Sequence, residues 1–288
     1  MKDEFLRDGF WIDRGAFDDA DLRRCRVAAE RVRAKTRQHL YPGTRFWYGR
    51  GENRDLIPSA MRAAATWGVN EITRRELFEP DLVNVLGHPR VDAVVRTLLG
   101  DEPRAWGIKM LWTPKVVSYD LHWHRDQMKP DFYDWIQYKP AAADHMQFNA
   151  ALNDDDCFLV MPGSHRRSLT EAEWHAVRED QTAELPGQVR VALRAGDILY
   201  MDAHTLHRGR SDISGDRLTL HYSAQAQWVP LTPWGESDDF AWLTAEEFLK
   251  QLAPATRSYY ERLRTAARSD DMLSFAREGA QAHGWRST

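Results

Sequence analysis

His145-Met146-Gln147-Phe148-Asn149-Ala150-Ala151-Leu152 alternates polar and apolar side chains. Successive strand residues point to opposite faces, so one face reads His145, Gln147 and Asn149, and the other Met146, Phe148, Ala150 and Leu152. Arg217 to Ser223 repeats the pattern, with Arg217, Thr219, His221 and Ser223 set against Leu218, Leu220 and Tyr222. Ser118 to Asp126 gives a third such run, with Ser118, Asp120, His122, His124 and Asp126 against Tyr119, Leu121, Trp123 and Arg125. An amphipathic strand on a protein surface fills its wet face with Lys, Glu, Thr and Arg; these faces concentrate His, Asp, Gln and Asn, which bind ligands. The expectation is a mainly β sandwich or barrel with a polar ligand in its lumen and helices packed on its outer faces.

The helices are expected from the two ends. Asp18 to Leu40 places Leu22, Cys25, Ala29 and Val32 at helical spacing behind an N-cap at Asp18 or Asp19. Residues 80 to 99 carry Leu82, Val85, Leu86, Val91, Val94, Val95 and Leu98 and stop at Gly100. Helical character returns at Ala245-Glu246-Glu247-Phe248-Leu249 and from Tyr259 to Ala267. Without an internal repeat or a Gly/Ser/Pro linker, the 288 residues read as one domain: 1–100 a mainly helical flank, 101–230 the β core, 231–288 a helical C-terminal flank.

Composition narrows the function. No apolar run approaches the roughly 18 residues of a membrane-spanning helix, and Met1 to Asp8 carries acids where a signal peptide would carry an apolar core. A net charge of -4 without a Lys/Arg block argues against nucleic acid and for a small-molecule partner. Two cysteines, Cys25 and Cys157, neither in a CxxC pair, fit a reducing compartment, so a cytoplasmic protein is expected.

His124-Arg125-Asp126 puts an imidazole and a carboxylate two residues apart, able to converge on one cation. A third ligand is available about eighty residues later, where Gly196-Asp197 leads through an apolar strand to His204 and His207. Two His and one carboxylate on one face of an octahedral ion leave three positions open, the arrangement of non-haem Fe(II) oxygenases. Arg217 follows His207 by ten residues on a polar strand face, with Thr219 two further on. A charge count then closes: Fe(II) with the Asp126 carboxylate is +1, a 2-oxoglutarate dianion brings -1, and one guanidinium, which binds carboxylates through two parallel hydrogen bonds, brings zero, with Thr219 as an added donor.

These residues resemble the phytanoyl-CoA dioxygenase family of Fe(II)/2-oxoglutarate oxygenases. The resemblance rests on Trp123-His124-Arg125-Asp126-Gln127, on Cys157-Phe158-Leu159-Val160-Met161-Pro162-Gly163-Ser164-His165-Arg166, and on Gly196-Asp197 leading to His207-Arg208-Gly209, and covers roughly residues 80 to 228. It implies a double-stranded β-helix (jelly-roll, cupin-like) core with flanking helices. It also implies iron held by His124, Asp126 and His207, Arg217 on the distal carboxylate of 2-oxoglutarate, and further co-substrate contacts at Thr219, Gln147 and Asn149. With dioxygen, such an enzyme oxidises, most simply hydroxylates, a C–H bond and releases succinate and carbon dioxide. An intact Asp126 argues against halogenation, since related halogenases carry a small residue there. Two other readings stand beside this one: a metal-bound cupin-type enzyme that uses no 2-oxoglutarate, and a non-catalytic jelly-roll binding protein.

His204 rivals His207, but the family favours the ten-residue interval to Arg217. His122, His165 and His221 read as pocket or structural residues. Substrate walls are expected from Gln127 to Pro140 and from Tyr41 to Asp55, with Lys109 and Lys115 as candidates to meet an anionic group. The expected substrate is a small metabolite of natural-product type.

Overall fold

The computed structural model describes residues 1–41, 43–45, 57–116, 118–126, 143–229 and 241–267. Strands β1 (Phe10–Asp13), β2 (Thr44–Arg45), β3 (Gly68–Val69), β4 (Arg104–Trp112), β6 (His145–Ala151), β9 (Ile198–Asp202) and β11 (Leu218–Gln225) form an antiparallel sheet in the order β1-β9-β6-β11-β4-β3-β2. A smaller antiparallel sheet has the order β5 (Tyr119–Asp120), β10 (His207–Ser211), β7 (Asp155–Val160), β8 (Val189–Leu193). The two face each other, the sandwich that the alternation indicates and the double-stranded β-helix that the family resemblance implies.

Alternation sorts the side chains into three layers. On the outer face of the large sheet Ile108, Met110, Phe148, Tyr200, Leu220 and Tyr222 join one apolar cluster with the helices. These include α2 (Asp19–His39), α5 (Pro89–Leu99) and α8 (Pro254–Ala267). Between the sheets, Ala151, Leu199 and Met201 meet Phe158, Val160, Val191 and Leu193, which closes one end of the lumen with hydrocarbon. Outside the small sheet, Trp123, Leu159, Met161 and Leu206 pack on Ala176 and Val177 of helix α6 (Glu171–Arg178).

Local chemistry sets the boundaries. Asp18 caps α2, its Oδ1 accepting from the backbone N–H of Ala20 and Asp21 at 2.8 Å each. The expected helix over 80–99 is instead α4 (Pro80–Val83), a 3-10 turn over Asn84–Gly87, and α5. Pro89 disfavours helical geometry at His88, which is extended at ψ 133. The first hundred residues also add β1, β2 and β3 to the large sheet, so that flank is less purely helical than its periodicity indicates. Ser118 to Asp126 is not one strand: only Tyr119 and Asp120 pair continuously, and the chain rejoins a neighbour at His124.

Gly9 ends α1 (Lys2–Asp8) at φ 82, against the turn before β10. A Cβ there would lie 2.5 Å from Thr205 Oγ1 and 2.6 Å from His165 Nδ1. Gly9→Ala therefore combines left-handed strain with overpacking and is expected to lower unfolding free energy by about 2 to 4 kcal/mol, read from urea denaturation; a loss below about 0.5 kcal/mol would contradict this close approach.

Candidate metal and co-substrate site

His124 and His207 are directly opposed across an isolated antiparallel bridge. Each backbone N–H donates to the other's carbonyl at 2.9 Å, and the imidazoles stand with ring centroids 4.4 Å apart. His124 Nδ1–H donates to the His122 carbonyl at 2.8 Å and His207 Nδ1–H to that of Thr205 at 2.9 Å. Both bonds fix the tautomer and leave each Nε2 lone pair directed inward. Asp126 Oδ1 lies 3.8 Å from His124 Nε2 and 4.0 Å from His207 Nε2. All three donor atoms fall within 4.8 Å of one another, close enough for one cation to touch them all.

Electrostatics favour a divalent ion. Burial, then the charge of His207, pushes His124 down to about 3, so its imidazole is neutral at physiological pH. Burial alone would raise Asp126, but His207, Lys109, His124 and His145 outweigh it and hold the carboxyl well below its usual range. Neutral imidazole nitrogen and ionised carboxylate oxygen are the forms in which these groups bind iron, so the donor set fits the metal.

The Pro162-Gly163-Ser164-His165 turn clamps both halves of this trio. Ser164 Oγ accepts from Leu206 N at 2.8 Å, next to His207, and donates to Met161 O at 2.7 Å. Arg125, between the two candidate ligands of the first motif, donates through Nη2 to the Ser164 carbonyl at 2.6 Å and that of Arg167 at 3.0 Å. His165 meets the Leu6 carbonyl at 3.2 Å, a structural bond as the sequence indicates.

Deeper in the lumen lies Arg217, buried but differently engaged than its sequence position implies. Its Nε donates to Asp155 Oδ2 at 2.8 Å, its Nη1 to the Tyr119 hydroxyl, and its Nη2 to His221 Nε2 at 3.3 Å. Thr219 Oγ1 also donates to Asp155 Oδ2, at 2.6 Å. The charge count made from sequence omits Asp155 and needs that correction. Asp155 sits in an acidic run, Asn153-Asp154-Asp155-Asp156, which reads as a solvated turn; only the packing of β7 against β11 singles it out. Tyr119 is a second correction. Alternation places it opposite His124, yet it points inward at Arg217, while Asp120 is half exposed and pairs with Arg208 at 2.8 Å.

Along the same wall, His221 of β11 is flanked by Lys109 of β4 and Asn149 of β6, and Ser223 by Gly107 and Gln147. Gln147 and Asn149 are buried, and Asn149 Oδ1 has no hydrogen-bond partner among the described residues, so it offers a lumen-side acceptor. Burial, then the charge of Arg217, keeps His221 well below its ordinary value and neutral. His204 stands apart from the trio: its Nε2 lies 3.3 Å from Asp144 Oδ2 and its backbone N–H bonds Asp202 Oδ1 at 3.0 Å. Lys115 is exposed. Arg45 borders the lumen, stacked 5.2 Å from the Trp67 ring centroid and bonded to Asn70. Residues 127–140, and 46–55 with 42, lie outside the described residues, so both expected substrate walls do too, apart from Tyr41 and 43–45. Among the described residues no helix is long and apolar enough to cross a membrane.

Residues 5–218 match the family model of phytanoyl-CoA dioxygenase. The chain belongs to that family, and is thereby an oxidoreductase of the non-haem iron, 2-oxoglutarate-dependent class that uses dioxygen. Solved structures share the fold at low identity. AviO1 from Streptomyces viridochromogenes Tue57 is 18% identical at a TM-score of 0.59, with 81% of this chain and 96% of that one covered. EctD from S. alaskensis, solved with 2-oxoglutarate and 5-hydroxyectoine, is 18% identical at 0.57, covering 80% and 77%. The epimerase SnoN, solved with Fe3+, alpha ketoglutarate and nogalamycin RO, is 20% identical at 0.55, covering 83% and 87%. No curated protein matches the chain significantly.

Burial sets a pH dependence. His124 is lowered to about 3 and His145, also through burial, to about 4, below the unfolded histidine value of about 6.5. Between those values the unfolded chain holds more protons, so stability rises with pH across that window and falls on acidification. The urea midpoint of metal-free protein should drop steadily from about pH 7 to about pH 4; a flat profile would contradict neutral imidazoles at these positions.

Proposed function

We propose that this chain is a hydroxylase of small metabolites, with His124, Asp126 and His207 holding Fe(II) and Arg217 binding the distal carboxylate of 2-oxoglutarate. The observation that carries this reading is the meeting of two tautomer-fixed imidazoles and one ionised carboxylate in a polar lumen whose other end is closed by hydrocarbon. Bound iron supplies the chemistry that couples decarboxylation of 2-oxoglutarate to oxidation of a C–H bond, with succinate and carbon dioxide released.

The chain's own residues hold and orient. The paired backbone bonds of His124 and His207 keep two donors at fixed separation, and Asp126 adds the anion that favours a divalent metal. Beyond the N–H groups given to Tyr119 and His221, Arg217 keeps one further N–H on each of Nη1 and Nη2 for the distal carboxylate, while Asp155 orients the fork from the Nε side and is itself held by Thr219. Phe158, Val160, Leu199 and Met201 keep water from the closed end. Asp126 leaves no place for a halide among the ligands, which favours hydroxylation over halogenation. EctD and SnoN were solved with small molecules, 5-hydroxyectoine and nogalamycin RO, which supports a metabolite rather than a polymer as substrate.

Under anaerobic conditions, wild-type protein with Fe(II) and 2-oxoglutarate should develop a visible charge-transfer band that Asp126→Ala and His207→Ala both lose. A screen of candidate metabolites should identify one that stimulates succinate formation and gains an oxygen atom, with turnover at least about 100-fold lower in Asp126→Ala. Full activity in that variant, or absence of the band in wild-type protein that binds both components, would overturn the assignment.

A further inference from the structure

Charges removed from water must be compensated nearby, and Arg217 does not complete the balance here. Fe(II) with Asp126 contributes +1, and a 2-oxoglutarate dianion leaves -1. The Arg217 charge is already met by Asp155, with both side chains 2% exposed. Asp155 is itself fixed: Oδ2 takes the Thr219 hydroxyl as well as Arg217 Nε, and Oδ1 accepts from Cys157 N at 2.9 Å. Burial alone would raise its carboxyl, but Arg217, Thr219 and the Cys157 N–H together keep it low and ionised. The pair is neutral, and one negative charge in the lumen is unmatched.

Lys109 is placed to match it. It lies on β4 directly opposite His221, the residue that receives Arg217 Nη2, and across β11 from Asn149, on the lumen face. It is half-buried and makes no hydrogen bond or ion pair with any described residue. The other cations of this wall are committed, Arg45 to Asn70 and the Trp67 face, Arg104 to Gln225 and the Gln227 carbonyl. The strand position of Lys109 therefore sets it on the same wall as the His221 imidazole that the Arg217 fork contacts.

We propose that Lys109 supplies the positive charge that balances bound 2-oxoglutarate in this chain, because Asp155 has neutralised Arg217. The proposal rests on the function assigned above. Arg217 then acts as a hydrogen-bonding fork of fixed orientation, and Lys109 as the net charge.

The test is titration calorimetry of 2-oxoglutarate into nickel(II)-loaded protein, which requires no turnover and no substrate. Lys109→Gln should weaken binding at least about 10-fold without changing nickel affinity, and Lys109→Arg should keep affinity within about 3-fold of wild type. Adding Asp155→Asn to Lys109→Gln frees the Arg217 charge and should recover most of the loss. Unchanged affinity in Lys109→Gln overturns the proposal, as does a folded, nickel-binding double variant that recovers nothing. If Asp155→Asn does not fold, the Lys109→Gln and Lys109→Arg pair decides alone. Wild-type, nickel-loaded protein that fails to bind 2-oxoglutarate would instead overturn the functional reading beneath it.

Discussion

The pair of backbone hydrogen bonds between His124 and His207 is the constraint on which the site depends. Residues that exchange both bonds across antiparallel strands carry their side chains on the same side. One bridge therefore sets two imidazoles from distant parts of the chain side by side, with no bond between the rings themselves. A bridge of one residue pair has little stability alone, and the surroundings reinforce it. Leu206, before His207, is tied to Ser164; Arg125, after His124, is tied to the same turn; and Trp123, before it, is buried and bonded through Nε1 to Ala183 at 2.8 Å. The Pro162-Gly163-Ser164-His165 turn is thus a splice holding both edges of the bridge, which gives a physical reason for its place between the two metal motifs.

Complete strands were the legible part of the fold. In β6 and β11 the alternation runs unbroken, and the polar faces do line the lumen while the apolar faces meet the helices. The short strands β1, β2 and β3 escaped, because two to four residues carry no measurable period and their pairing partners lie far along the chain. Ser118 to Asp126 misled for a related reason. Parity is conserved only while a strand is continuous, and this segment leaves its partner after Leu121, whose N–H donates to the Gly209 carbonyl at 2.8 Å, and returns at His124, so Tyr119 and His124 both turn inward. The three candidate iron ligands come together as their spacing indicates, because motif spacing survives such irregularity. Asp155 was not, since nothing local separates it from Asp154 and Asp156; its role follows from which strand lies opposite.

That hidden carboxylate explains how a buried guanidinium is tolerated. The fold must form before any co-substrate arrives, and a lone charge in the lumen would oppose folding by several kcal/mol. Asp155 offsets that penalty and fixes the fork through Nε, so that in the proposed binding mode little side-chain freedom would be lost when a carboxylate docks. The same arrangement lowers the site's attraction for a dianion, because the strongest local charge has been cancelled. Stability of the ligand-free chain and electrostatic affinity for the co-substrate are therefore opposed at Arg217. Placing the compensating charge on Lys109, as proposed, would separate them: a half-buried ammonium keeps access to water, so its hydration is largely retained in the ligand-free chain. On this division of labour, burial suits the residue that orients and partial exposure suits the residue that supplies charge.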